Sequence, residues 1–209
     1  MSRLKIYGVA YSRSVRNIWA ALELGLDYEN VPIGWDDDSI YGEAYRRINP
    51  NARVPAIDDD GFVLWESLAI NLYLAKKHGG PLAPASLRED ALATQWSLWA
   101  AIHLERPLIT WAFHAFVNEP AERDPEVAAR SEAELEPLLA VLEGQLAEAP
   151  YLLGGRFTIA DLNVGCMFLR PRERLELGAY PHLKTWDNAV FARPAAQRAW
   201  AIRGEAAAA

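Results

Sequence analysis

Two short segments combine residue types that can hold a small anionic molecule. The dipeptide Glu66-Ser67 falls where a predicted strand meets a predicted helix, and the backbone N–H groups at a helix N-terminus bind carboxylates. Val54-Pro55 lies at the start of another predicted strand, where proline forfeits a ladder hydrogen bond. A cis bond suits that proline if Val54 presents its backbone to something other than a strand. The alternatives are a simple helix cap at Ser67 and an ordinary edge proline.

Catalytic templates that depend on a short motif are missing. The sequence contains no P-loop, no G-x-G-x-x-G, no H-E-x-x-H and no C-x-x-C. Its histidines lack metal-ligand spacing, so we expect no bound metal; they are His78, His103, His114 and His182. The single cysteine, Cys166, lies in the apolar run 164–169, which favours a buried, inert thiol over a nucleophile.

The composition predicts an acidic globular protein. The 209 residues include 21 Lys and Arg against 28 Asp and Glu, a net charge of −7, and 51% are hydrophobic. A pI of about 5.2 argues against binding to nucleic acid or an anionic membrane, since both need a basic surface. One cysteine cannot form an intramolecular disulfide. The N-terminus lacks a signal-peptide pattern and no long apolar run occurs, so we expect a cytoplasmic protein.

Patterning in the first eighty residues predicts an α/β unit in the order β-α-β-α-β-β-α. The predicted strands are 4–7, 28–33, 54–57 and 62–64, and the predicted helices are 14–24, 40–48 and 67–77. An Asp-Gly pair between the last two strands is typical of a hairpin. Val54-Pro55 therefore begins the third strand, and Glu66-Ser67 joins the fourth strand to the third helix.

The remainder of the chain predicts helices alone. Residues 79–87 are rich in Gly, Pro and small residues, and residues 81–87 are predicted to link a domain over 1–80 to an all-helical domain over 88–209. Pro107 should kink or divide a helix over 87–117, and Pro137 should kink or restart the amphipathic helix that follows. Thr158 and Asp161 have the spacing of a capping box at the start of a further helix. The fold class is thus α/β plus all-α.

Three segments together resemble the glutathione transferase family over nearly the whole chain. Residues 49–57, N-P-N-A-R-V-P-A-I, are similar to its N-P-x-x-x-V-P segment with the cis-proline. Residues 65–74, W-E-S-L-A-I-N-L-Y-L, are similar to its E-S-x-A-I-x-x-Y-L segment. Residues 151–161, Y-L-L-G-G-R-F-T-I-A-D, are similar to its G-x-x-x-[ST]-x-A-D entry into a core helix. The resemblance implies a thioredoxin-like N-terminal domain, a C-terminal helical bundle and glutathione as cosubstrate.

The resemblance also implies a role for each site residue. The Val54 backbone should pair with the cysteinyl backbone of glutathione, as a strand would. Glu66 and Ser67 should hold the γ-glutamyl α-amino and α-carboxylate groups. Arg53 is placed to meet the glycyl end, and a solvated surface arginine is the alternative.

The family also needs a hydroxyl after the first strand that favours the glutathione thiolate. Residues 8–17 resemble bacterial, serine-type members with an S-R-x-S loop, which gives this role to Ser12. Other serine-type classes place the hydroxyl at position 11, here Tyr11, and tyrosine-type classes place it at Tyr7. We rank Ser12 first, Tyr11 second and Tyr7 third. Ser14 is predicted to cap the first helix, and Arg13 is either a further stabiliser of the thiolate or a solvated side chain.

The implied activity is conjugation of glutathione to small hydrophobic electrophiles, a detoxification reaction. A non-catalytic binding or regulatory protein of the same fold is the first alternative. A glutathione-dependent reductase, isomerase or lyase of one substrate is the second. Cysteine-based mechanisms are disfavoured, since the loop 9–16 has no cysteine. The resemblance and the eight tryptophans together predict a homodimer.

Overall fold

The structure is a computed structural model that describes residues 4–34, 37–172 and 174–208, with side chains through residue 206. The chain forms two compact units, Met1–Ala83 with Phe191–Ala209, and Pro84–Val190. The first contains a mixed sheet with helices and the second is helical, which confirms the predicted fold class. The domain boundaries at 80 and 88 stay a prediction. Within the described residues, no helix combines the length and apolarity needed to cross a membrane.

The first unit is built on a four-stranded sheet in the order β2-β1-β3-β4. The strands are β1 Leu4–Tyr7, β2 Tyr28–Val31, β3 Ala56–Asp59 and β4 Phe62–Trp65. Strand β1 pairs parallel with β2 and antiparallel with β3, and β3 pairs antiparallel with β4. The predicted hairpin is confirmed, because Asp60 and Gly61 both have positive φ between β3 and β4.

Helices α1 Ser14–Glu23, α2 Glu43–Arg46 and α3 Ser67–His78 complete the predicted β-α-β-α-β-β-α order. Helix α2 is one turn long and follows a separate 3₁₀ turn, Asp38–Tyr41, where the sequence predicts a single helix. Helices α1 and α3 pack together. Ile18 and Trp19 on α1 and Ile70 on α3 are each 0% exposed.

A last helix, α9 Pro194–Ala208, also belongs to the first unit and packs against α1. Arg193, just before α9, forms a bidentate ion pair with Glu23 at 2.8 and 2.7 Å. The Trp19 ring contacts Phe191 at a centroid distance of 5.6 Å. Sequence patterning predicts this helix but gives no sign of its packing partner.

The second unit contains α4 Leu87–Trp99, α5 Glu105–Ala112, α6 Pro125–Glu148, α7 Ile159–Phe168 and α8 Pro181–Phe191. Wide π turns, Ala100–Leu104 and Phe113–Val117, flank α5. The first turn precedes Pro107, whose missing N–H and bulky ring disfavour a regular helix there. Pro107 itself lies inside α5, so the helix is interrupted ahead of the proline and is not divided at it. Helix α6 continues through Pro137, so a restart at Pro137 is wrong.

The predicted capping box opens α7 and extends into a larger network. The Asp161 Oδ2 accepts from the Thr158 N–H at 2.9 Å and from the Thr158 hydroxyl at 3.1 Å. Its Oδ1 accepts from the Leu152 N–H at 2.8 Å and the Trp186 indole at 2.9 Å. Asp161 is 0% exposed. Burial raises the pKa of its carboxyl, and the four donors act in the opposite direction.

We expect Asp161→Ala to lower the free energy of unfolding by about 3 kcal/mol, because it strands several buried donors. Asp124→Ala is the control, since Asp124 caps α6 with two backbone bonds at an exposed position and should cost only about 1 kcal/mol. Urea denaturation measures both. Equal losses would show that the buried network contributes nothing beyond a cap.

Candidate functional site

Gly8 brings two of the predicted site segments together. Its φ of +129° is closed to ordinary side chains, and a Cβ there would lie 1.9 Å from the Ser14 Oγ and 3.0 Å from the Val54 Cβ. Because glycine has no Cβ, the backbone that follows β1 can lie in close contact with both Ser14 and Val54. The loop after β1 and the segment before β3 thus meet at one end of the sheet.

The Ser12 hydroxyl lies in a small hydrogen-bond network ahead of α1. Its Oγ donates to the Val9 C=O at 2.6 Å and accepts from the Ser14 N–H at 3.1 Å. The Ser14 Oγ lies 2.9 Å from the Ser12 Oγ and donates to the Tyr7 C=O at 3.3 Å. The prediction that Ser14 caps α1 is wrong, because Ser14 is the first helical residue. The Ser12 hydroxyl accepts its N–H instead.

The other two candidate hydroxyls differ in their surroundings. Tyr11 is half-buried beside Ser12, and Arg13 is exposed. Tyr7 packs edge-on against Tyr45 at a centroid distance of 6.1 Å. Burial raises the pKa of Tyr7, and burial together with Tyr7 raises the pKa of Tyr45 to about 12. A phenol with a raised pKa is a weaker donor to a thiolate, which favours the packing role for Tyr7.

The Val54-Pro55 bond is cis, as expected from the sequence. Strand β3 begins at Ala56, so the prediction that the strand starts at Val54 is wrong. None of the described hydrogen bonds uses the N–H or C=O of Val54. This residue therefore presents a peptide edge that an extended ligand can pair with.

The loop before Val54 is held by buried polar side chains. The Arg53 C=O accepts from the Tyr45 hydroxyl at 2.8 Å and from the Asn49 Nδ2 at 2.7 Å. The Asn49 Oδ1 accepts from the Asn51 N–H at 3.0 Å. These bonds fix the backbone of Arg53 while its side chain stays exposed.

Glu66 and Ser67 lie at the N-terminus of α3. Ser67 is the first helical residue and no side chain caps the helix, so the alternative of a simple Ser67 cap is wrong. Glu66 is exposed and has φ +75°, a strained conformation that clusters at ligand sites in proteins. Cross-strand pairing of Ala56 with Trp65 places this junction beside the cis bond.

Two residues that the sequence analysis did not identify, Arg16 and Asn17, donate hydrogen bonds to Ser67. Arg16 is only 6% exposed, and its Nη1 donates to the Ser67 Oγ at 3.3 Å. The Asn17 Nδ2 donates to the Ser67 C=O at 2.8 Å and to the Asn71 Oδ1 at 2.7 Å. The available sequence signal was that Arg16 and Asn17 lie between apolar residues of α1 that are predicted to be buried. The buried guanidinium adds positive charge to the α3 N-terminus.

The described residues offer no other chemistry at this end of the sheet. No group of three His, Cys, Asp or Glu side chains within them is arranged to hold a metal ion. Cys166 is buried in α7 of the second unit and forms no disulfide. The arrangement suits a small peptide-like anion: an open peptide edge, a helix N-terminus backed by arginine, and adjacent hydroxyls.

Two family models match this chain, the glutathione S-transferase N-terminal domain over residues 2–76 and the C-terminal domain over residues 105–194. The chain belongs to the glutathione transferase family. Glutathione S-transferase 3 of Zea mays is 33% identical over 95% of this chain and 93% of its own. The maize glutathione S-transferase I, solved with an atrazine glutathione conjugate, has 30% identity and a TM-score of 0.89 over 97% of this chain and 99% of its own.

A further relative of the family carries a different name. The disulfide-bond oxidoreductase YfcG of Escherichia coli strain K12 is 33% identical over 85% of both chains. The glutathione transferase family therefore includes relatives of this chain named for transfer and for disulfide chemistry.

We expect Gly8→Ala to destabilise the protein by about 3 kcal/mol or more, because the new Cβ meets Ser14 at a forbidden φ. Gly25→Ala is the control, since Gly25 also has positive φ (+64°) but has nothing within 4 Å of the added Cβ, and should cost about 1–2 kcal/mol. Thermal unfolding of both variants measures the difference. Similar losses would mean that the Ser14 contact imposes no constraint.

Proposed function

We propose that this glutathione transferase family member conjugates the glutathione thiolate to small hydrophobic electrophiles. The observation that carries the proposal is the meeting of the open Val54 backbone with the α3 N-terminus at Glu66 and Ser67. Glutathione is a tripeptide with two carboxylates, so it needs both a peptide edge and a positive end. The maize enzyme solved with an atrazine conjugate supports an electrophile as second substrate.

The proposed binding mode gives each residue one task. The Val54 N–H and C=O pair with the cysteinyl backbone. Ser67 and Glu66 take the γ-glutamyl carboxylate and amino group, and the buried Arg16 adds charge behind Ser67. The exposed Arg53 takes the glycyl carboxylate.

Ser12 is proposed to stabilise the thiolate. A hydroxyl hydrogen rotates freely about its bond, so the proton that meets Val9 can turn to a sulfur once glutathione is bound. A free thiol with a pKa of ~8.5 is only about 3% ionised at pH 7. Lowering that pKa by ~2 units corresponds to ~2.7 kcal/mol and raises the thiolate fraction about 25-fold.

In the reaction, the sulfur forms a bond to the electrophilic carbon and the leaving group departs with its bonding electron pair. The thiol proton goes to solvent. The protein supplies placement and donors, and the nucleophile comes from glutathione, so no cysteine of this chain takes part.

Glutathione-dependent disulfide reduction is the second candidate, favoured by the relative named disulfide-bond oxidoreductase. Glutathione thiolate would attack a disulfide sulfur and release a thiol, and a second glutathione would release oxidised glutathione. Turnover of 1-chloro-2,4-dinitrobenzene against bis(2-hydroxyethyl) disulfide separates the two activities. Glutathione binding with turnover of neither would favour the non-catalytic alternative.

A homodimer in the cytoplasm is part of the proposal. The number of tryptophans is weaker support for a dimer than the sequence suggested, because four of them are buried in the core: Trp19, Trp96, Trp111 and Trp186. Exposed apolar side chains support a partner surface instead: Phe62 and Trp65 on β4 are 49% and 39% exposed, and Leu98 and Ile102 are 55% and 66% exposed.

We expect sedimentation equilibrium at micromolar concentration to give twice the 23.3 kDa chain mass. Burial of these apolar side chains against a second copy supplies the free energy of association. A mass of one chain at that concentration would reject the dimer.

We expect Ser67→Ala to weaken glutathione binding about tenfold, because it removes one hydrogen bond to a charged group. Ser131→Ala is the control, since Ser67 and Ser131 are both 5% exposed and Ser131 lies in α6 of the other unit. Isothermal titration calorimetry measures both affinities. An unchanged affinity in Ser67→Ala, or equal losses in the two variants, would remove Ser67 from the site.

We expect Ser12→Ala to raise the pKa of the bound thiol and to lower the rate at neutral pH by up to about 25-fold. The deficit should shrink above pH ~8.5, where the thiolate forms without help. Glutathione affinity should change little. Tyr11→Phe is the parallel variant and should leave the thiol pKa unchanged. The pKa of the bound thiol in both variants is measured by titrating the thiolate absorbance of the glutathione complex. A raised pKa in Tyr11→Phe alone would transfer the role to Tyr11.

A further inference from the structure

Arg170, just after α7 in the second unit, is a half-buried cation that stacks on an aromatic ring. Its Cζ lies 5.3 Å from the centroid of the Phe113 ring. Among the described residues, no carboxylate or hydrogen-bond acceptor pairs with its guanidinium. Burial lowers the pKa of Arg170, and no neighbouring charge opposes that effect. The stacking contact leaves the N–H groups at the rim of the guanidinium available.

Arg174, four residues further along the chain, makes a similar contact. Its Cζ lies 6.0 Å from the centroid of the Phe116 ring. The Arg172 N–H donates to the Phe168 C=O at 3.0 Å, and the Arg174 N–H donates to the Pro171 C=O at 3.0 Å. Arg172, between them, is instead paired with Asp187 at 2.8 Å, so it does not share the aromatic contacts of Arg170 and Arg174.

The two rings belong to the π turn Phe113–Val117, whose backbone is hydrogen-bonded to an arginine side chain. Arg123 donates to the C=O of Phe116 at 3.0 Å and of Asn118 at 2.7 Å. The Phe116 ring also contacts Trp111 edge-on at 5.6 Å. Phe113 remains 36% exposed. An aromatic surface therefore lies beside two guanidinium groups that pair with no carboxylate in the part of the chain that the structure describes.

An aromatic face with adjacent guanidinium groups recognises a planar apolar body that carries an anionic group. The rings take the body by stacking, and the arginines take a carboxylate or sulfonate through charge-assisted hydrogen bonds. We propose that Phe113, Phe116, Arg170 and Arg174 form a binding site for aromatic carboxylates or sulfonates and thereby select an anionic second substrate. The substrate role rests on the proposed transferase function, whereas the binding site does not.

A matched pair of aryl chlorides tests the substrate role: 4-chloro-3,5-dinitrobenzoate and its methyl ester. In both, the glutathione sulfur bonds to the ring carbon, chloride leaves with its electron pair, and the thiol proton goes to solvent. The two differ in charge at the far end of the ring. Dividing kcat/KM for the acid by that for the ester, and comparing this ratio between variants, cancels their different intrinsic reactivities.

We expect Arg170→Gln to lower this ratio about tenfold, because one charge-assisted interaction is lost. Arg174→Gln should lower it less, since Arg174 is exposed. Arg130→Gln is the control, because Arg130 is an exposed arginine on α6, and it should leave the ratio unchanged. An unchanged ratio in Arg170→Gln, or an equal fall in Arg130→Gln, would overturn the substrate role.

A binding measurement without glutathione tests the site itself. The probes are 1-anilino-8-naphthalenesulfonate and its neutral counterpart N-phenyl-1-naphthylamine, titrated by fluorescence. Arg170→Gln should weaken binding of the sulfonate about tenfold and of the amine less than twofold. Equal losses, or none, would overturn the site even if both chlorides are conjugated. Turnover of neither chloride, with the dye contrast intact, would remove the transferase function and leave the anion site standing.

Discussion

The buried amide of Asn17 joins the N-terminus of α3 to α1. Its Nδ2 uses both hydrogens, one on the Ser67 C=O and one on the Asn71 Oδ1, while Arg16 reaches the Ser67 hydroxyl. Two helix N-termini therefore lie together, and the positive ends of both dipoles meet at one end of the sheet. The buried Asn17 Oδ1 finds no hydrogen-bond partner among the described residues, a cost of about 1–3 kcal/mol that the packing of α1 on α3 offsets.

Local sequence patterns were enough to predict the order of elements. Alternation placed β1, an Asp-Gly turn placed the β3–β4 hairpin, and Thr158 with Asp161 placed the start of α7. Each signal comes from residues within a few positions of one another. The cis bond before Pro55 was also expected, although β3 begins two residues later than predicted because a register depends on the partner strand.

What the sequence could not show depends on contacts between distant residues. Arg16 and Asn17 have the composition of a solvated helix face, yet α3 buries them. Ser14 has the residue type of a cap but lies inside the helix, because Ser12 folds back to accept its N–H. The same holds for Arg170, whose stacking on Phe113 joins segments that are far apart in sequence. Buried polar residues are satisfied by the tertiary fold, and periodicity does not encode their partners.

The return of α9 to α1 has a consequence for vectorial synthesis on the ribosome. When β1 through α3 have emerged, Trp19 still lacks Phe191 and Glu23 still lacks Arg193. The second unit is contiguous and can close its core as soon as its own residues are made. The first unit must keep one helix face open while the ribosome adds all of 84–190. The part of the chain translated first is thus the part whose folding finishes last.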